Sequence, residues 1–330
     1  MANPTDIARF GHRQGVFLYN STSAETEIWC DRVQSADPEA NMPLTKVYEL
    51  GRVGPVGSVT DPSTFRFNMV ENLHNSEIDS YCAGKAPASS GSLFNVGDLV
   101  SNTLRASIVT RAVTGTTPDG EFVVDSGVLE SVTYSFVIRG PCTVRYTIRG
   151  TTGRYYTSGS LLHESWGVVD DASAAAVNGR DARIAFTTDA NIMYRLQRFN
   201  INVRLPAMDV AQLGSRDLAG VIQDSPDVTC DFDILHADFQ PHDEWATLTT
   251  GYYDFNNPLS PDVWINVYDP DATEALTVIK AFKMENVRAA TVRPLTAQVR
   301  GLATVRYTLS SVKEDTADEG GMYVSTAAIT

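Results

Sequence analysis

The side chains able to do chemistry are present, but their spacing is wrong for it. His12, His74, His163, His236 and His242 are scattered. No two lie four apart, so the paired ligands that a zinc hydrolase sets on one helix face are missing. Cys30, Cys82, Cys142 and Cys230 include no Cys-x-x-Cys pair and read as buried free thiols. Gly51-x-x-Gly54-x-x-Gly57 is glycine-rich but lacks the Gly-x-Gly-x-x-Gly order and a following helix signal, so it reads as a loop at a strand end. Asp269-Pro-Asp-Ala-Thr-Glu274 has the carboxylates of a calcium loop without its sixth-position glycine or distant glutamate, and reads as a turn between strands. A Ser-His-Asp set can be assembled on paper, yet no nucleophile-elbow sequence supports one. Asn20-Ser-Thr22 fits a glycosylation acceptor that matters only on a secretory route. These patterns lead us to expect no enzyme, cofactor or metal site.

The formal charge of −14 argues against tight binding of DNA or RNA, which needs cations to neutralise phosphates. The charge is uneven. Asp209 to Glu274 holds fourteen acids and one base, Arg216; Ala275 to Lys313 holds seven bases and one acid, Glu285. The acidic stretch is either a solvated face or a surface that faces something negative without holding it, or a basic neighbour in an assembly. No window is apolar enough to span a membrane as a helix. The first residues carry neither the basic nor the apolar part of a secretory leader, so the cytosol is the expected place of synthesis.

The elements that would position any site are strands, and one of them occurs twice. Arg139-Gly-Pro-Cys-Thr-Val-Arg-Tyr-Thr-Ile148 returns as Arg300-Gly-Leu-Ala-Thr-Val-Arg-Tyr-Thr-Leu309, with seven of ten positions identical. Val47-Tyr-Glu-Leu-Gly51 is answered by Val210-Ala-Gln-Leu-Gly214. The spacings agree: 140 − 51 = 89 from Gly51 to Gly140, and 301 − 214 = 87 from Gly214 to Gly301. Gly51, Gly214, Gly140, Gly301, Tyr146 and Tyr307 thus mark two copies of one unit. The expected layout is an arm over 1–24, a first domain over 25–168, a linker over 169–190, a second domain over 191–313 and an acidic, flexible tail over 314–330.

Inside the repeated segment Val144, Tyr146 and Ile148 alternate with Thr143, Arg145 and Thr147, the period of a half-buried strand. Further strands are expected at Leu104–Val113, Val128–Ile138, Asn200–Leu205, Thr229–Leu235, Val263–Tyr268 and Ala275–Phe282, and a hairpin turn at Thr117-Pro-Asp-Gly120. Asn75–Ala83 and Asp243–Leu248 read as one short helix in each copy. The fold class is therefore all-β with minor α: two tandem, homologous β-sandwich or barrel domains, each with a short flanking helix.

The run Val210-Ala-Gln-Leu-Gly214, Asp224-Ser-Pro226 and Val228-Thr-Cys-Asp-Phe-Asp-Ile-Leu235 resembles the tail tube proteins of long-tailed bacteriophages, as does the closing Thr-Val-Arg-Tyr-Thr strand. Lys46–Gly51 and Thr64–Val70 look like a more divergent copy, and the likeness covers roughly 25–313. The resemblance implies a structural virion protein whose inner strands join six domains into a continuous barrel. With two domains per chain it implies homotrimeric, pseudo-sixfold rings stacked around a tape-measure protein. Tail terminator, distal tail or baseplate proteins and, in some tails, a sheath are the implied partners. Genomic DNA passes without specific binding, no membrane is involved, and the virion tail is assembled in the host cytoplasm. A baseplate ring or secretion-system tube, a tandem glycan- or cell-surface-binding sandwich, and a capsid or decoration protein are the rival readings.

Under the tube reading, Asp224, Asp227, Asp231 and Asp233 either line the channel or its rim, or face solvent or a basic neighbour. In Asp231-Phe-Asp233 alternation puts both carboxylates opposite the core. Arg145 and Arg306, equivalent positions on the polar face, are expected to bridge to a neighbouring domain or subunit, with Arg139 and Arg300 as further contacts. Reversing Arg145 and Arg306 together is then expected to weaken assembly but not folding.

Overall fold

The computed structural model describes residues 14–21, 27–30, 33–50, 53–73, 78–85, 93–100, 102–111, 118–138, 140–157, 159–163, 177, 181–185, 194–212, 218–235, 246–249, 252–258, 262–269, 277–285, 287–296, 304–311, 321–325 and 329. Among them the chain is almost entirely strand.

In the first half, β1 (Gln14–Asn20), β2 (Glu27–Cys30), β3 (Val33–Asn41), a hairpin of β4 (Leu44–Tyr48) with β5 (Pro55–Thr60), and β6 (Thr64–Asn72) precede the short helix α1 (Ile78–Cys82). Then come β7 (Leu93–Asn95), a 3-10 turn at Val96–Leu99, β8 (Leu104–Arg111), β9 (Pro118–Val137), β10 (Thr143–Gly150) and β11 (Thr152–Thr157). In the second half β12 (Ala182–Ala185), β13 (Tyr194–Arg204), the hairpin β14 (Ala207–Ala211) with β15 (Leu218–Gln223), and β16 (Asp227–Leu235) come first. The hairpin β17 (Ala246–Thr249) with β18 (Tyr252–Pro258), then β19 (Val263–Tyr268), β20 (Val278–Met284), β21 (Val287–Thr296), β22 (Thr304–Ser311) and β23 (Met322–Ser325) complete it.

One long antiparallel sheet runs β3-β6-β10-β9-β13-β16-β22-β21. Its first four strands come from one half and its last four from the other. With Tyr146 and Tyr307 set as equivalent, the order repeats strand for strand. Even a bulge recurs: the ladder shifts between Thr147 and Ile148 opposite β9, and between Ala289 and Thr291 where β21 faces Thr308 and Leu309. Each half adds a second sheet. The first is β2-β1-β8-β9-β11, the other β12-β19-β20-β23.

Strand β9 serves both sheets of its half. Its first part pairs with β8 and β11, and its second with β10 and β13. The bend falls at Ser126, a non-glycine residue at φ 50, whose N–H bonds to the Asp125 carboxylate at 2.9 Å. At Gly127 a Cβ would lie 2.8 Å from Ile148 and 3.2 Å from two backbone oxygens, so the crossing strands leave room only for glycine.

Alternation places the core as expected. Phe67 and Met69, Val144, Tyr146 and Ile148, Phe199 and Ile201, Phe232, Tyr307 and Leu309 are buried in one continuous cluster with Val16, Leu18, Ile184, Ile265 and Phe282 of the second sheets. All four cysteines are buried and free. Burial pushes the thiols of Cys82, Cys142 and Cys230 well up, so they stay inert.

Several expectations change. The stretch read as an arm supplies β1, because Val16 and Leu18 are core residues. The stretch read as a linker contains β12, held between β13 and β19. The region read as a flexible tail contains β23, which pairs with β20 and, across the halves, with β7. Its Met322 and Val324 are buried. Pro118 to Gly120 open β9 instead of forming a turn, with Pro118 opposite Arg111; a first strand position suits a residue without an N–H. Helix α1 covers part of Asn75–Ala83, but Ala246–Leu248 belong to β17 and not to a second helix. Asp269 N–H bonds to Thr277 O at 2.9 Å, closing the end of the expected β19–β20 turn.

Candidate functional site

The surface that the fold sets apart is the junction between the halves. From Arg198↔Val137 to Arg204↔Ser131, β13 lies against β9 in unbroken antiparallel register. On the buried side Phe136 and Phe199 stack at 3.8 Å. Leu205 N–H bonds to Glu130 O at 2.9 Å, and Gln223 Nε2 bonds to Leu129 O at 2.6 Å. Arg149 reaches across to Asp209 at 2.5 Å and also meets Glu130 at 3.5 Å. The last long-sheet strand of the first half is thus the neighbour of the first long-sheet strand of the second.

A buried ion pair reinforces the junction. Asp79 on α1 meets Lys280 on β20, and both side chains are almost completely buried. Tyr134 of β9 donates its hydroxyl to the same carboxylate at 2.8 Å, and Ser80 N–H binds its other oxygen at 3.0 Å. Burial, then the neighbouring Asp79 charge, raise the Tyr134 pKa well above its usual value, so it remains a donor. Phe282 packs edge-on against Tyr134 at 4.9 Å. Sequence reasoning missed this cluster. Asp79 and Lys280 are 201 positions apart, and no local pattern links them.

A second polar cluster lies under the first half. His163 Nδ1 meets Glu121 at 2.5 Å, His163 Nε2 meets Glu27 at 2.5 Å, and the ring stacks on Phe17 at 3.9 Å. Ser107 Oγ is 3.5 Å from Nδ1, the nitrogen Glu121 already holds. Both ring nitrogens are engaged by carboxylates, so neither is available as a base toward Ser107; the arrangement ties the chain at Leu162–His163 to the sheet. Burial works against a charged ring, but hydrogen bonds to Glu121 and Glu27 outweigh it and raise the His163 pKa. Burial likewise opposes charge on Glu121, yet the His163 bond and the backbone N–H groups of Leu162 and His163 lower its pKa. The signs follow by linkage. The His163 contribution is complete below the ordinary value of 6.5 and is lost as pH rises through the raised value. The Glu121 contribution is present above 4.5 and lost as pH falls through the lowered value. The melting-temperature difference between wild type and His163→Gln is therefore expected to shrink as pH rises above the ordinary value of 6.5. A pH-independent difference in a melting series contradicts this.

The face of the long sheet opposite the core is mixed in charge. Arg306 binds Asp233 through two bonds, 2.6 and 2.8 Å, directly across the β16–β22 ladder. Thr308 donates to Asp231 at 2.5 Å. With Arg198, Asn200 and Thr291 these residues line a shallow depression of about 320 Å³. Alternation does put both carboxylates opposite buried Phe232, as read from the sequence. Arg306, read from the sequence as a contact to another domain or subunit, pairs within its own half, because the ladder sets it opposite an acid. Arg145 is exposed, with Val70 and Thr133 opposite. Asp224 and Asp227 are exposed, and Asp224 accepts from Ser225 N–H at 2.7 Å. Gly140 N–H bonds to Val137 O at 3.2 Å. Tyr146, buried, donates to Glu71 at 3.0 Å, and Tyr307 is buried in the core. Arg139, Arg300, Gly51, Gly214 and Gly301 lie outside the described residues.

Strand pairing and burial define an all-β protein. No protein-family model matches the chain, and no curated protein does. Among the solved structures that bear a likeness, two are described. One is the anti-feeding prophage baseplate, 6-fold symmetrised, at 10% identity, covering 48% of this chain and 99% of that one with a TM-score of 0.36. The other is an Hcp protein at 11% identity, covering 44% of this chain and 98% of that one with a TM-score of 0.24. Likeness at this level carries no functional conclusion; the fold class rests on the pairings themselves. No helix among the described residues is long and apolar enough to cross a membrane.

Proposed function

We propose that this chain is a structural subunit that builds hollow rings, three copies closing a six-part cylinder, and that the rings stack into a tail tube through which DNA passes. The observation that carries this is the β9–β13 pairing. It joins two four-strand units of the same order head to tail, and it leaves β3 at one end of the sheet and β21 at the other. Among the described residues neither has a strand partner on its outer side. A heterologous contact that repeats either closes or runs on as a filament. Two units of one ancestral domain, fused, would give a closed ring from half as many chains as units.

The same reading accounts for the apolar hairpin β4–β5. Leu44, Val47, Tyr48 and Val56 are exposed there, at 38% to 65%. Such a patch on a soluble surface marks a contact with protein. Stacking of one ring on the next would cover it. The wall facing the channel would be the side of the long sheet opposite the core. Its arginines and carboxylates are interleaved, so DNA phosphates meet no run of cations that could hold them.

Electron microscopy of purified protein tests the proposal. Rings with trimer mass and tubes built from them are expected; a monomer at every concentration and salt tried overturns it. Leu44→Lys with Tyr48→Lys is expected to leave single rings but shorten tubes several-fold, because burying unpaired ammonium groups is costly. Tubes of unchanged length would remove the hairpin from the stacking contact.

A further inference from the structure

The junction inside the chain shows how two units pair, and this fixes the register in which two chains would. Tyr146 lies opposite Val132 on one side and Met69 on the other; Tyr307 lies opposite Val292 and Phe232. Val292 is thus the counterpart of Val132. Met69 faces Ala36 on β3 while Phe232 faces Phe199 on β13, so Ala36 is the counterpart of Phe199. Inside the chain Thr133 faces Asn202 and Val132 faces Val203. Carried over, Arg293 falls opposite Glu39, Val292 opposite Ala40 and Thr291 opposite Asn41.

Resting on the ring reading above, we propose that β21 of one chain pairs antiparallel with β3 of a second copy in this register, with Arg293 and Glu39 sharing a rung. Two features of the two edges support it. Opposite charges occupy that rung, where the internal junction has a neutral Thr–Asn pair. The edges also reject their own kind. β3 carries Asp37 and Glu39, so β3 against β3 sets acid beside acid. β21 carries Arg288 and Arg293, so β21 against β21 sets cation beside cation. Only the head-to-tail combination is attractive, and it is the one that propagates around a ring.

Charge exchange on the full chain tests it, with assembly followed by mass photometry and sedimentation. Glu39→Arg alone and Arg293→Glu alone are each expected to raise the concentration needed for rings by roughly tenfold or more, since like charges directly opposite repel at every junction of the ring. The two together restore assembly to within about threefold of wild type. Because a charge variant can misfold, a cysteine pair provides a second readout. The four native cysteines are buried, which keeps background coupling low. Glu39→Cys with Arg293→Cys is expected to give disulfide-linked dimers and trimers on mild oxidation. The control, Asp37→Cys with Arg293→Cys, moves one thiol along the strand to about 7–8 Å from its target and gives several-fold less. Rings that persist in both single variants, or equal coupling in the control, overturn the register while leaving the ring standing. Wild-type protein that never assembles removes the ring itself.

Discussion

Lys280→Ala is expected to lower the unfolding free energy by about 3–5 kcal/mol, the usual cost of removing one partner from a buried pair. The loss is large because of what stays behind. Asp79 keeps its Tyr134 and Ser80 bonds but becomes an uncompensated anion in a site shut off from water. Urea denaturation should show the midpoint falling with little change in slope. Replacing both members, Asp79→Asn with Lys280→Met, should recover most of the loss, since the amide oxygen can still accept from Ser80 N–H while its NH2 donates to the Tyr134 hydroxyl oxygen, and the thioether chain fills the ammonium stem's space. If the single and double variants lose the same amount, the pair is not the relevant interaction. Helix α1 comes from the first half and β20 from the second, so the single variant should also loosen one half from the other. Hydrogen exchange at β7 and β23, which pair across the halves, would report that loosening.

Phe199→Ala is expected to cost a comparable 3–5 kcal/mol or so, the range for emptying a buried aromatic site. Phe199 has no exposed surface and stacks on Phe136 across the β9–β13 seam. Phe199→Leu should cost under about 1.5 kcal/mol because most of the volume is kept. The informative measurement is a double-mutant cycle with Phe136→Ala. A coupling of about 0.5–1.5 kcal/mol is expected if the stack holds the two halves together. Strict additivity would mean each ring packs separately against its own half, and the seam would then rest on its backbone ladder alone.

These two variants probe contacts that no inspection of the chain could have found. Period-two alternation was legible wherever one side of a strand is buried and the other is not, and β10, β16 and β19 sit close to where that pattern puts them. The burial of Phe232 between two carboxylates followed from the same rule. Alternation says nothing about strands whose neighbours decide their fate. Val16–Tyr19 and Met322–Ser325 read as terminal segments because each is too short to signal a core, yet both become sheet members when distant strands supply their hydrogen-bond partners. Asp243–Leu248 read as helix from local composition, and the β18 partner draws Ala246–Leu248 into a strand instead. Pairing with a distant strand overrides a weak local preference.

The amino-acid order by itself determined that this is a β protein carrying one ten-residue strand motif twice. Those properties are local: they depend on side-chain type and on spacings of a few residues, which every copy of the chain carries with it. Which strand became the seam, which strands end the sheet among the described residues, and which acid met Arg306 were decided only when segments far apart in the chain came side by side. Hydrogen bonding between strands and the closing of a buried ion pair depend on distances in space, and sequence separation does not encode them.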